Sequence, residues 1–99
     1  MNNIELGQLV ISTAGRDKGR KFIVLKIIDN NHVYISDGYL RKVEKPKKKK
    51  LKHLKITSIT SDTLREKIET NKYVENFEIR SFLKSLEEKN KQEVWLPYV

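Results

Sequence analysis

Four cations, Arg16, Lys18, Arg20 and Lys21, fall among six consecutive positions, with Gly15 just before them and Gly19 in their midst. Glycine takes positive φ and lets another backbone approach closely, while arginine presents a forked donor and lysine a point charge, both suited to phosphate. Such a loop fits a sugar-phosphate backbone; the same residues also make an ordinary solvated hairpin with turn glycines. It is not a nucleotide-binding P-loop, because no Lys-Ser or Lys-Thr closes a glycine-rich run at a helix start. A second concentration comprises Arg41, Lys42, Lys45, Lys47, Lys48, Lys49, Lys50, Lys52, His53 and Lys55, interrupted by Glu44, Pro46, Leu51 and Leu54. Four adjacent lysines repel one another, so the run stays extended or disordered until a polyanion neutralises it, or it serves as a solvated linker. Pro46 disfavours helix and keeps Lys45 extended, which lets the side chains splay along a backbone. If about 5 phosphates are neutralised, affinity falls roughly 500-fold between about 50 and 200 mM salt. Unpaired bases stack on aromatic rings, and Tyr34 and Tyr39, which flank Asp37-Gly38, are the candidate platforms, although a tyrosine so placed is more often a sheet-surface or core residue.

Catalysis finds little support. His32 and His53 lack paired carboxylates at ligand spacing, there is no cysteine, and Ser12, Ser36, Ser58 and Ser61 sit in strand or capping contexts without a nucleophile elbow. No metal site, cofactor or small-molecule substrate is expected, and the chain reads as a non-enzyme. Composition points to a polyanionic partner, because the 99 residues carry a net charge of +8 with only 37% hydrophobic residues. The charge is segregated: residues 1–60 hold 14 basic and 5 acidic side chains, residues 61–99 hold 7 and 8. The first part is therefore the expected polyanion binder. An apolar span, a basic amphipathic helix and a lipidation signal are all missing, so no membrane partner is expected. The start Met-Asn-Asn-Ile-Glu has no signal core, and the lack of cysteine suits a reducing cytoplasm, although many exported bacterial proteins share that lack.

Something must position these cations. Gln8-Leu9-Val10-Ile11-Ser12 reads as a strand entering the glycine loop, and Phe22-Ile23-Val24-Leu25-Lys26-Ile27-Ile28 as a central strand apolar on both faces. Asp29-Asn30-Asn31 closes a hairpin onto Val33-Tyr34-Ile35-Ser36, and Asp37-Gly38 turns to a fourth strand, Tyr39-Leu40-Arg41-Lys42-Val43. After the polybasic interruption at 45–52, His53-Leu54-Lys55-Ile56-Thr57-Ser58-Ile59 resumes as a fifth. Five short strands with tight turns suggest a small barrel. From about residue 60 the period changes. Ser61 or Asp62 caps a short helix ending near Asn71, and Asn76 caps a second whose Ile79, Phe82, Leu83 and Leu86 form one apolar stripe. Residues 87–93 read as a charged solvated segment. The apolar tail 94–99, with Trp95 and Tyr98, either packs on its own domain or anchors a protein partner.

Gly7-Gln8-Leu9-Val10-Ile11-Ser12, the loop through Gly19 and the apolar strand after it resemble a KOW motif, whose most characteristic position, a glycine after basic residues, is matched by Gly19. The longer stretch 7–57, with Asp29, Asp37-Gly38 and the lysine run, is similar to small bacterial KOW-domain RNA-binding proteins related to an archaeal and eukaryotic large-subunit ribosomal protein family. Asn76-Phe77-Glu78-Ile79-Arg80 resembles their helical tail. The resemblance implies a mainly β fold, an SH3-like barrel over 1–59 followed by a two-helix appendage and tail over 60–99. It also implies binding to rRNA of the large ribosomal subunit, with ribosomal proteins as further neighbours, and a cytoplasmic, ribosome-associated location. Lysine-dominated contacts read phosphate and shape, so structured rRNA is the expected ligand. The alternative is a protein-interaction module of the transcription or translation machinery, whose cations are incidental.

Overall fold

Residues 22–25 are apolar without interruption, and a strand of that composition folds only if both of its faces are covered. In the computed structural model, which describes residues 4–95 but not the side chains of 88–95, both are. Five strands, β1 (Gln8–Ser12), β2 (Lys21–Ile27), β3 (His32–Ser36), β4 (Lys47–Lys50) and β5 (Leu54–Thr60), form one antiparallel sheet in the order β4-β3-β2-β1-β5. Two helices follow, α1 (Asp62–Glu69) and α2 (Asn76–Trp95). Register sets Val10 opposite Phe22 and Val24 opposite Ile35, and these four, with Val33, Leu51 and Leu54, make one core cluster. The alternate residues Leu9 and Ile23 face the other way and meet Leu64, Val74 and Ile79 from the helical segment. Phe22, Ile23 and Val24 are completely buried, each stabilising the fold by about 1.5–3 kcal/mol before entropy is counted.

The edge strands β4 and β5 are joined only by a 3-10 turn, Leu51–His53. A flat sheet would put these edges about 19 Å apart, whereas the four steps from Lys50 to Leu54 span at most about 14 Å. The sheet must therefore curl around its first cluster, helped by a bulge in β2 between Val24 and Lys26 and by an irregularity in β5, where Ile56 to Thr60 stand opposite only Val10 to Gln8 of β1. Among the described residues no ladder joins β4 to β5, so the sheet is open and the expected closed barrel is not formed.

One expected element is corrected. The fourth strand is the lysine run itself, while residues 39–43 belong to a wide loop. The Asp37 carboxylate accepts the N–H groups of Tyr39 and Arg41 at 2.9 Å each, and the N–H groups of Asp37 and Gly38 point to Arg41 O. A loop wound on that carboxylate cannot pair with β3 there, and β3 takes Lys47–Lys50 instead, with Ile35 opposite Lys47 and Val33 opposite Lys49. Lysine suits the position: an edge strand has one neighbour, and the long stems of half-buried Lys47 and Lys49 lie on the Val33 and Ile35 side. The segment 87–93, expected to be charged and solvated, is helical, because α2 runs through it to Trp95. The tail residues 96–99 lie outside the described residues.

The helix boundaries follow from local chemistry. Ser61 Oγ accepts the N–H of Leu64 and caps α1, and Asn71, at φ 59°, takes the left-handed conformation that asparagine tolerates just past the helix end. Asn76 begins α2, but its side chain reaches the 37–46 loop rather than its own helix. Its Oδ1 accepts the N–H of Val43 at 2.8 Å and its Nδ2 donates to Glu44 at 2.7 Å. Glu78 closes the helix start by accepting the N–H of Glu75, a bond that holds its carboxyl below the usual range, aided by Lys67. Ile79 is buried against the sheet, with Phe82, Leu83 and Leu86 packed at the margin of the same cluster, as the stripe requires. Gly38 makes this docking possible. At φ +71° it lies so close to α2 that a Cβ would stand 2.4 Å from Asn76 O.

Candidate nucleic-acid interface

The loop between β1 and β2 is a closed turn. Gly19, at φ +86°, donates its N–H to Ser12 O at 2.7 Å, and Ser12 donates back to Arg20 O at 3.0 Å. Nothing lies within 4 Å of where a Gly19 Cβ would be, so that position demands a backbone conformation and not space. Arg16 and Lys18 are exposed on the turn, and Lys21 is half-buried at its exit.

The two arginines of the candidate set that stand nearest its centre are engaged internally. Arg20 Nη2 lies 2.8 Å from Asp37 Oδ2, and Arg41 places Nε at 3.1 Å and Nη2 at 3.0 Å from Asp17 Oδ2. Each loop thus gives an arginine to the other loop's aspartate. Both aspartate side chains are only 7% exposed. Burial pushes the Asp37 carboxyl up, but the Arg20 guanidinium and the N–H groups of Tyr39 and Arg41 more than offset it and hold the group below the usual carboxylate range. Arg20 Nε is itself buried without a hydrogen-bond partner among the described residues.

A third tie joins the lysine strand to this pair of loops: Lys49 Nζ donates to Ala14 O at 2.9 Å. Three basic segments that are separate in sequence, the 13–20 loop, the 37–46 loop and β4, therefore form one continuous surface. Leu40, Arg41, Lys42, Lys45, Pro46, Lys47 and Lys48 line a shallow groove along it. Lys48 and Lys50 alternate outward, on the face that carries Tyr34 and His32, and register sets Lys26, Tyr34 and Lys48 side by side across β2, β3 and β4. Lys26 escaped the sequence reading, although it is the one charged residue within the apolar run 22–28. Arg80 and Lys84 of α2 were also missed. Their spacing of four marks one helical face, but only the docking of α2 shows that this face adjoins the basic loops, with Arg80 Nη1 donating to Gly38 O at 2.8 Å.

The remaining candidates, and the end of β4, have other neighbours. Lys50 and Lys52 line a second shallow groove with Asn30, Asn31, His32, Leu51 and Ile56. Half-buried His53 offers its carbonyl to the N–H of Thr13 at 2.9 Å, and exposed Lys55 pairs with Ile11 across the β1–β5 ladder. Tyr34 is half-buried and Tyr39 is 66% exposed. His32 Nδ1 meets Asp29 Oδ1 at 3.0 Å, and that carboxylate, held low first by the Asn31 N–H and then by His32, closes the β2–β3 turn. Among the described residues no three metal-ligating side chains cluster, and no helix is long and apolar enough to cross a membrane.

No family model matches the chain. Over 36 residues, 36% of its length, it is 47% identical to the large ribosomal subunit protein eL14 of the archaeon Desulfurococcus amylolyticus. A match of the same extent and identity is found to the large ribosomal subunit protein eL14 of Hyperthermus butylicus. The similar segment spans 38% and 37% of those two proteins, so a little over a third of each is shared with this chain.

Proposed function

We propose that this protein binds structured rRNA of the large ribosomal subunit, as a ribosomal protein or a ribosome-associated factor in the cytoplasm, by phosphate contacts and without catalysis. One observation carries the reading: three basic segments are tied into one surface, by Lys49 to Ala14 and by the crossed Arg20–Asp37 and Arg41–Asp17 pairs. Arg16, Lys18, Lys42, Lys45, Lys48 and Lys50 make no salt bridge among the described residues, which leaves them for phosphate. The segment shared with the archaeal large-subunit proteins supports the choice of ligand. The strand order and the short turn between the two edge strands support an SH3-like, KOW-type architecture.

The test is fluorescence anisotropy of the whole protein with large-subunit rRNA helices over a salt series, with sucrose-gradient sedimentation of cell extract beside it. Binding whose logarithm falls steeply and linearly with log salt, and comigration with large subunits, are expected. No affinity at low ionic strength overturns the reading. A second reading, a protein-interaction module, is favoured by Tyr73 and Phe77, which are 60% and 56% exposed near the start of α2. Replacing both with serine leaves RNA affinity intact if the first reading holds alone.

A further inference from the structure

A groove runs between the start of β2 and the 37–46 loop on one side and α2 on the other. It is lined by Arg20, Lys21, Arg80 and Lys84, by the apolar Leu83, and by Tyr39. We infer that this groove takes a single unpaired nucleotide of the bound RNA, its base stacked on Tyr39 and its phosphates held between Lys21 and Lys84; the inference rests on the RNA-binding reading above.

Tyr39 is the reason to look here. A tyrosine that is 66% exposed contributes little to a core, yet its backbone is fixed from both sides. Its N–H is held by Asp37, the carbonyl just before it accepts the Arg80 guanidinium, and Gly38 packs against α2 too closely to admit a side chain. A ring presented on an immobilised backbone has already lost the freedom that stacking would otherwise cost. The surrounding charge selects the ligand. Four cations face the groove against two acids, and one of those, Asp37, is already bonded to Arg20. That excess suits a phosphodiester, whereas the flat apolar face of the ring and Leu83 suit a base. Glu87 at the rim is the remaining acid and can accept from an exocyclic amine. The groove adjoins the one lined by Lys42, Lys45 and Lys47 at consecutive residues of the 37–46 loop, Tyr39 in the first and Leu40 in the second, so a duplex lying on the lysines can place a bulged nucleotide beside Tyr39.

The experiment compares full-length wild type, Tyr39→Ala, Tyr39→Phe and Lys84→Gln on two RNAs, a perfect hairpin and the same hairpin with one bulged 2-aminopurine. Circular dichroism verifies that each variant is folded. Wild type should quench the 2-aminopurine and bind the bulged RNA more tightly. Tyr39→Ala should abolish the quenching and lower affinity for the bulged RNA on the order of 5- to 150-fold, leaving the perfect hairpin unchanged. Tyr39→Phe should retain both properties, and Lys84→Gln should weaken binding of the bulged RNA alone. Equal affinities of wild type for the two RNAs, or full quenching with Tyr39→Ala, overturns the groove while leaving the RNA reading intact. Loss of affinity for both RNAs in wild type overturns both. Competition by an acidic peptide of the 2-aminopurine RNA, but not of the perfect hairpin, is further support for an anion-binding groove; binding of that peptide with no nucleotide preference overturns the assignment to RNA.

Discussion

The arginines and the lysines of the basic half carry the same charge and perform opposite tasks. Arg20 and Arg41 point inward at carboxylates that are almost fully buried, and their forked donors fasten one loop to the other. Lys48 and Lys50 point outward from an edge strand and make no salt bridge among the described residues. Guanidinium geometry explains the division. A planar fork fixes direction and tolerates partial desolvation, whereas an ammonium on a four-carbon stem is strongly hydrated and adapts to any nearby phosphate. Net charge therefore overstates the surface available to a polyanion, because part of it is consumed in shaping that surface.

Breaking the lysine side of this contrast should give the largest effect. Changing Lys47, Lys48, Lys49 and Lys50 to glutamine should weaken rRNA binding on the order of 100-fold at moderate salt. The slope of log K against log salt should fall by about 2.7 if Lys49 stays on Ala14, and by about 3.6 if it too meets phosphate. Thermal stability should fall only modestly, since Lys48 and Lys50 are exposed, where substitutions lie within about 0.5 kcal/mol each, and half-buried Lys49 gives up one hydrogen bond to Ala14 O, about 1 kcal/mol. An unchanged salt slope would show that the strand is not in contact with RNA.

The arginine side should behave in reverse. Asp37→Ala strands a guanidinium and two backbone N–H groups, a loss of about 2–3 kcal/mol and roughly 10–20 °C in Tm, while the salt slope of the folded protein stays as it was. The same carboxyl sharpens the pH dependence. Because Asp37 holds its proton less readily in the folded chain than in the unfolded one, its contribution is complete above the ordinary carboxylate range and is lost as pH falls below that range and through the lowered folded value. Urea titrations between pH 3 and 6 should show stability falling on the acid side, less steeply in Asp37→Asn. A smaller effect is expected from Arg41→Lys, which keeps the charge and loses the fork: about 1 kcal/mol of stability, with RNA affinity changed less than threefold. The smallest is Gly19→Ala. With open space around it, that change costs only the positive-φ strain, about 1 kcal/mol by thermal melting. An affinity loss well beyond that would place a phosphate against the Gly19 backbone.

Much of the scaffold was legible in the residues. Alternation and β-branching set β1, β2, β3 and β5 to within a residue or so, and the stripe of Ile79, Phe82, Leu83 and Leu86 marked the docked face of α2. The fourth strand was not legible, because lysine has no intrinsic claim on a sheet. Only the unmet edge of β3 and the Asp37-centred loop make Lys47–Lys50 extended, and both are tertiary facts. The cationic segments themselves were visible from spacing. Which cations are occupied was not, since the pairs Arg20–Asp37 and Arg41–Asp17 join residues 17 and 24 positions apart in chain. Lys26, Arg80 and Lys84 were hidden for a related reason: each sits in an element whose pattern speaks of packing, and its relation to the basic loops arises only on folding.

The lysine edge has one more consequence. An unpaired strand margin invites a neighbouring molecule to extend the sheet, and the open ladder leaves β4 with such a margin. Here the margin carries four adjacent lysines and repels its own image, which opposes edge-to-edge pairing of two free copies. The charge proposed above to meet RNA also keeps unbound molecules separate from one another.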